Sequence, residues 1–510
     1  MHTTNHSDNL KNQGNINLLL LSVLVVLGFL LRMYAFTNSP VINPDGVHYI
    51  NQAKAILAGN WDLAKNCGFD FISLYHVLIP VLYKIFGDWI IAAKSVSLFF
   101  GTAAIIPFYL MMRQLFRGKV AAVASFGFAI HPFLVARSIE LIKDPIFWFF
   151  ALLGMSFVAT AFTKRNKTHF LLFSSISFLL AGMARLEILT FFAGTIMYIL
   201  LFEDAKKQKI LLFCLPALSF VCLIITSVLL FKSNDLGTSY LSPRIHHFLL
   251  IFSDNPIDID IQKTFFTFSK LISRTMYALS PAFLPFFLAG FWSAKKKVRG
   301  ETVFWYFIIN SLLALVTLYF FFLKTGIMPP RYTISAILPG SVFVCFGIEK
   351  SLQYLKNKGI QERSALIFIC AYMVAAALFS QNLHQRTDKT MYKNIGKYIA
   401  SLEKDRKVVI LSADSRTMFY ANLNAVETEC ISPLLHYKDL MKIQYQDMVS
   451  SLRNNKVNYF IWEEKIWKDA GYDFLSTVRP EDMKEIMRWD SGTGRLIAFK
   501  IMDQKGFFIP

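Results

Sequence analysis

Charge is scarce in this chain. Only 17% of its 510 residues are charged against 55% hydrophobic, and the mean hydropathy is +0.44, which excludes an ordinary soluble globular protein. Cysteine is also sparse, at six, and no two cysteines have metal-ligand spacing. Cys214, Cys222, Cys345 and Cys370 fall in apolar runs and read as packing residues. Cys67 and Cys430 fall outside those runs, and a disulfide between them is one option that spacing alone does not decide. No glycine-rich phosphate loop is present. No nucleic-acid motif accompanies the net charge of +19, so nucleic acid is not an expected partner. No internal repeat is found, which weighs against inverted-repeat transporters. A cleavable leader is not expected either: Met1–Asn15 is polar and the run after it is too long for a leader core.

Long apolar runs are what the chain has instead, and phenylalanine is abundant, at 50 in the whole chain. Runs of about 17–25 residues match the thickness of a hydrocarbon core, and helices alone satisfy their backbone there without neighbours. The reading is a polytopic α-helical membrane protein of about 11 spans. They lie near 16–36, 89–112, 120–136, 145–162, 169–186, 188–203, 210–231, 271–293, 302–323, 332–348 and 364–381.

Basic clusters sort the loops. Arg113, Arg117 and Lys119 lie after the second span, Lys164, Arg165 and Lys167 after the fourth, and Lys206, Lys207 and Lys209 after the sixth. Lys295–Lys297 with Arg299, and Lys350, Lys356, Lys358 and Arg363, continue the alternation. All share the side of the N-terminal tail, residues 1–15, which is therefore expected to be cytoplasmic, with the protein in the plasma (inner) membrane. The other side holds the loop 37–88, the turn Arg137–Asp144, the loop Lys232–Lys270 and the turn Lys324–Arg331. Phe71–Phe86 is apolar but short and reads as a helix in the outer interface. Residues 16–381 form the membrane domain. Residues 382–510 turn polar and read as a small extracytoplasmic α/β domain, with strands at Lys407–Ser412, Asn458–Trp462 and Gly494–Ile501 and a helix over Tyr437–Asn454.

Chemistry concentrates at the outer helix mouths. Asp45 stands in Asn43-Pro44-Asp45-Gly46-Val47-His48-Tyr49. It reads either as the N-cap of a helix or as a general base, with His48 and Tyr49 one turn on. Glu140 and Asp144 would share a face if helical, beside Arg137 and Lys143. Asp144 before Pro145 also reads as an N-cap, and a local ion-pair cluster is a further reading. Arg331, in Pro329-Pro330-Arg331-Tyr332, offers a planar cation suited to phosphate, or an anchor at the interface. Arg185 and Glu187 read as a pair or as lining of the same cavity. Lys263, Lys270 and Arg274 read as headgroup contacts or interface anchors.

These pieces, in this order and on one side, resemble the integral-membrane glycosyltransferases of the GT-C class, specifically the dolichyl-phosphate-mannose protein mannosyltransferase and aminoarabinose transferase family. The carriers are Asp45-Gly46-Val47-His48-Tyr49 with Ala53, Gly59-Asn60-Trp61, the interfacial run ending Phe86-Gly87, Asp144 after Arg137, and Pro330-Arg331-Tyr332 with Leu338-Pro339. The resemblance implies transfer of a sugar from a polyprenyl-phosphate donor to an acceptor glycan, lipid or protein at the outer face, with inversion. It implies Asp45 as the base, Arg331 and neighbouring cations on the phosphate, and Asp144 and Glu140 as organisers of the acceptor or of the basic groups. Many members carry two adjacent acids where this chain has Asp45-Gly46. The expectation is no cofactor; a divalent ion on Asp45, Glu140 and Asp144 is the less favoured alternative. A flippase for a lipid-linked sugar is the rival reading, and a non-catalytic scaffold the next.

Overall fold

The computed structural model describes residues 17–502, apart from 67, 70, 165–166, 232–260, 295–297, 299, 382–388, 405, 424–434, 436, 469, 471 and 492–493. Contacts divide the chain into two units. One comprises residues 17–38, 73–78 and 94 to the end of the last long helix; the other comprises 39–72, 79–93 and the C-terminal region. The stretch 37–88, read from sequence as a loop of the membrane domain, therefore packs largely with the C-terminal residues.

The helices in chain order are α1 (Leu18–Thr37), α2 (Pro44–Leu57), α3 (Trp61–Asn66), α4 (Leu74–Phe86), α5 (Trp89–Ala103), α6 (Ile105–Leu115), α7 (Gly118–Ile130), α8 (Pro132–Arg137) and α9 (Asp144–Thr163). There follow α10 (Phe170–Gly182), α11 (Ile188–Phe202), α12 (Lys206–Phe231), α13 (Ile261–Ser293), α14 (Val303–Thr325), a 3₁₀ turn (Pro330–Thr333), α15 (Ile334–Asn357) and α16 (Glu362–Gln381). A helix stands at every expected span. Among the described residues, 7 are long and apolar enough to cross a membrane, α5 with α6 counting as one. Exposed apolar side chains such as Leu19, Val26 and Leu30 on α1 are what a lipid-facing surface requires.

Proline sets several breaks. Pro132 lacks an N–H and drives His131 to φ −58°, ψ 115°, so the span expected as one helix is α7 and α8. Next to that break, the fully buried Arg32 donates to the carbonyls of Gly28 and Ala129, both at 3.0 Å. α13 is interrupted at Ser280 (φ 60°, ψ 154°), just before Pro281. It also starts ten residues before the expected boundary, so residues 261–270 are helix rather than loop; the rest of that loop lies outside the described residues. α13 and α15 cross at Gly290 and Gly347, where the backbones are so close that a methyl group on either would overlap a carbonyl oxygen of the other helix. Of the apolar-run cysteines, Cys345 is buried as expected, but Cys222 is exposed. Cys67 and Cys430 lie outside the described residues.

The second unit holds α17 (Thr390–Glu403), β1 (Ile410–Leu411), α18 (Ser415–Ala421), α19 (Tyr437–Leu440), α20 (Tyr445–Asn454), β2 (Tyr459–Glu463), α21 (Glu464–Trp467), α22 (Phe474–Thr477), β3 (Met483–Ser491) and β4 (Gly494–Ile501). The helix expected over Tyr437–Asn454 is thus two. The sheet order is β1-β2-β4-β3, with β1 parallel to β2 and the other pairs antiparallel. Alternation sends Tyr459 and Ile461 into one core and Phe460 and Trp462 into another. Both faces being covered explains why these strands read as continuous apolar runs.

Candidate active site

Within the membrane unit, three chain segments meet around one guanidinium. Asp144 is the first residue of α9, with Lys143 at the cap position and Pro145 following. It is not the N-cap, but it remains in the first turn, where the helix dipole favours a carboxylate. Arg185 follows the end of α10. It forms an ion pair with Asp144 and, through Nε at 3.0 Å and a second bond from Nη2, with Glu187. Asp144 is 2% and Arg185 8% exposed. Charges so buried persist only when partnered, and the planar fork of arginine serves two carboxylates at once. The Arg185 guanidinium also lies 4.5 Å from the ring centroid of Tyr332. Arg331 precedes Tyr332 on the proline-stiffened 3₁₀ turn, its guanidinium 5.7 Å from the same ring. Lys143 adds a second positive charge felt by Glu187.

Arg137 and Glu140 form their own pair at 2.5 Å, half-buried. Residues 138–143 are not helical, because the fully buried Leu141 and Ile142 turn the chain inward and Ser97 holds the Ile142 carbonyl at 3.0 Å. Glu140 and Asp144 therefore do not share a helix face, contrary to the sequence expectation. Lys263, Lys270 and Arg274 all lie on α13, with Lys270 4.9 Å over the Phe266 ring.

Asp45 belongs to the other unit. The N-cap of α2 is Asn43, Pro44 takes the first helical position and Asp45 the next, so the N-cap reading of Asp45 is off by two residues. Asp45 as a residue is half-buried. His48 and Tyr49 follow one turn later, packed on Phe69 at 5.2 and 5.1 Å between ring centroids. Burial pushes the His48 imidazole below its ordinary value, and the Asp45 charge offsets this only in part. Gln52, which the sequence reading passed over, is fully buried. It donates to the carbonyls of Ala64 at 2.8 Å and Phe69 at 2.9 Å, fixing the loop that carries Phe69 against α2. Gln52 follows a second amide, Asn51, on α2, and nothing in the sequence singled it out as the buried one.

The model of the family described as dolichyl-phosphate-mannose-protein mannosyltransferase matches residues 74–231. An oligosaccharyltransferase of Archaeoglobus fulgidus, solved tethered to an acceptor peptide, superposes with a TM-score of 0.56 at 13% identity, over 97% of this chain and 74% of that one. ArnT from Cupriavidus metallidurans, bound to undecaprenyl phosphate, superposes with a TM-score of 0.54 at 11% identity, over 95% of this chain and 98% of that one. This chain has the GT-C glycosyltransferase fold. A third similar structure, AglB of A. fulgidus in complex with an inhibitory peptide and a dolichol-phosphate, gives 0.54 at 11% identity over 94% and 73%. No curated relative matches by sequence.

On this GT-C scaffold the carboxylates of Asp144, Glu140 and Glu187 are already engaged by arginines. Among the described residues no group of three or more His, Cys, Asp or Glu side chains converges as a metal site would. The acids of this part of the membrane unit are thus members of an internal ion-pair network.

Proposed function

We propose that the chain is a glycosyltransferase that moves a sugar from a polyprenyl-phosphate carrier to an acceptor at the outer face of the plasma membrane, with inversion. The observation that carries this reading is the network of Asp144, Arg185 and Glu187 packed on Tyr332, the residue next to Arg331. Its acids hold Arg185, and Arg331, the neighbour of Tyr332 in sequence, is a planar cation of the kind that reads phosphate.

Asp45 takes the proton of the acceptor hydroxyl, and the oxygen attacks the anomeric carbon. The bond from that carbon to the carrier phosphate breaks, and the phosphate departs with its negative charge. Arg331 stabilises that charge as it develops; Asp45 supplies the base that a hydroxyl nucleophile needs. Asp144, Glu140 and Glu187 hold the neighbouring cations Arg137, Lys143 and Arg185, while His48 and Tyr49 shape the surroundings of Asp45. The acceptor is a protein hydroxyl, a lipid or a glycan.

The flippase reading is not favoured, because the acids and cations gather at helix ends and a transporter would need them near the middle of the bilayer. Membranes holding the protein, loaded with labelled polyprenyl-phosphate sugars, decide the matter. Label appearing on a new acceptor supports the transferase. Labelled carrier that crosses the bilayer with no transfer supports the flippase instead.

A further inference from the structure

Ile42 lies three residues before Asp45 and is 2% exposed. Its backbone N–H donates to the hydroxyl of Tyr420 at 3.1 Å, and its carbonyl accepts from Arg416 Nη1 at 3.2 Å. Both side chains come from α18, in the C-terminal region. Arg416 is 3% exposed and is itself aimed by Asp414, through Nε at 2.8 Å and Nη2 at 2.5 Å. Asp414 also caps α18 by accepting from the Arg416 N–H at 3.0 Å. Two further ties run between the same segments. Lys393 on α17 donates to the Pro40 carbonyl at 2.6 Å, and Lys54 near the end of α2 donates to the Leu423 carbonyl at 3.0 Å.

Little freedom remains between this anchor and Asp45. Asn43 is buried and extended (φ −76°, ψ 155°), Pro44 has a ring-fixed φ, and the Gly46 N–H returns to the Asn43 carbonyl at 3.0 Å. Holding both the N–H and the C=O of one residue fixes the orientation of its two flanking peptides, which apolar packing alone does not do.

We infer that Arg416 and Tyr420 are positioning residues for Asp45, and that the C-terminal sheet domain is a working part of the transferase because it sets where the base stands. The inference rests on the reading of Asp45 as the base. Catalytic geometry is demanding: a displacement of about 1 Å costs on the order of 100-fold in rate.

The test uses the full chain in membranes with a labelled polyprenyl-phosphate sugar. Tyr420→Phe and Arg416→Lys each remove one of the two bonds to Ile42 while keeping the bulk of the side chain. Tyr445→Phe is the control. Its hydroxyl accepts from the Arg479 N–H at 3.1 Å and bonds Asp482 at 3.2 Å in the same domain, without touching Ile42. The expected result is a kcat lower by about tenfold or more in the two anchor variants, with the donor KM within about twofold of wild type. Tyr445→Phe lowers the melting temperature but leaves kcat unchanged. Wild-type kcat in both anchor variants overturns the inference. So does a fall no larger than in Tyr445→Phe, or an effect confined to the donor KM. Absence of transfer by the wild type removes the transferase reading itself, and the positioning inference with it.

Discussion

The carboxylate of Asp144 and the guanidinium of Arg185 form a buried ion pair although 41 positions of sequence separate them. The pair joins the start of α9 to the turn before α11. With Glu187 on the same guanidinium and Tyr332 against it, the pair forms the centre of the network in the membrane unit.

Arg185→Leu strands two carboxylates at once. Breaking a buried pair from one side costs about 3–5 kcal/mol, so the purified protein should melt well below wild type. Asp144→Asn leaves Arg185 with Glu187 and should cost less. An Arg185→Leu protein with an unchanged melting temperature would mean that the network does not hold the helices together.

Arg331→Lys keeps the charge and loses the planar fork. If Arg331 reads the carrier phosphate, the donor KM should rise about tenfold, close to 1.4 kcal/mol, with a smaller change in kcat. Initial-rate kinetics over a donor series measure both, and an unchanged KM would return Arg331 to the role of an interface anchor.

Gly347→Ala should weaken the crossing of α13 and α15. The added methyl meets the Phe286 carbonyl oxygen, which is backbone and has little room to yield. The expected cost is about 1–3 kcal/mol. Gly300→Ala, where the same methyl meets nothing within 4 Å, should be neutral in the same thermal-unfolding measurement.

His48 carries a pH signature. Its pKa in the folded chain lies below the ordinary 6.5, so the unfolded chain binds the proton more readily. The resulting contribution to stability is complete above pH 6.5 and is lost as pH falls through the lowered folded value. Partial exposure of the ring keeps the effect small. His48→Gln should therefore flatten the acid side of the profile of melting temperature against pH. Parallel profiles for the two proteins below pH 6.5 would refute this.

Much of the fold was legible because membrane helices write themselves as apolar runs. The strands at Tyr459–Glu463 and Gly494–Ile501 showed for a related reason, both faces of the sheet being covered. β3 was missed: Met483–Ser491 interleaves charges with few buried side chains. The allegiance of residues 39–72 to the C-terminal unit was invisible, since it rests on bonds such as that between Ile42 and Arg416, 374 positions apart. The candidate site was half legible. Arg185 and Glu187 suggested their own pairing by adjacency, while the partnership of Arg185 with Asp144 depends on how α9 and α10 pack. The placing of Asp45 erred because Pro44 occupies the first helical position and moves the cap back to Asn43.

The most direct measurement compares wild type with Asp45→Asn at matched expression, following labelled sugar from polyprenyl-phosphate donors into acceptor. Amide nitrogen cannot take the proton, so the account predicts transfer reduced by about 100-fold or more with the donor KM little changed. Transfer at the wild-type rate by Asp45→Asn would contradict it, and would move the search for the base to other acids of the chain.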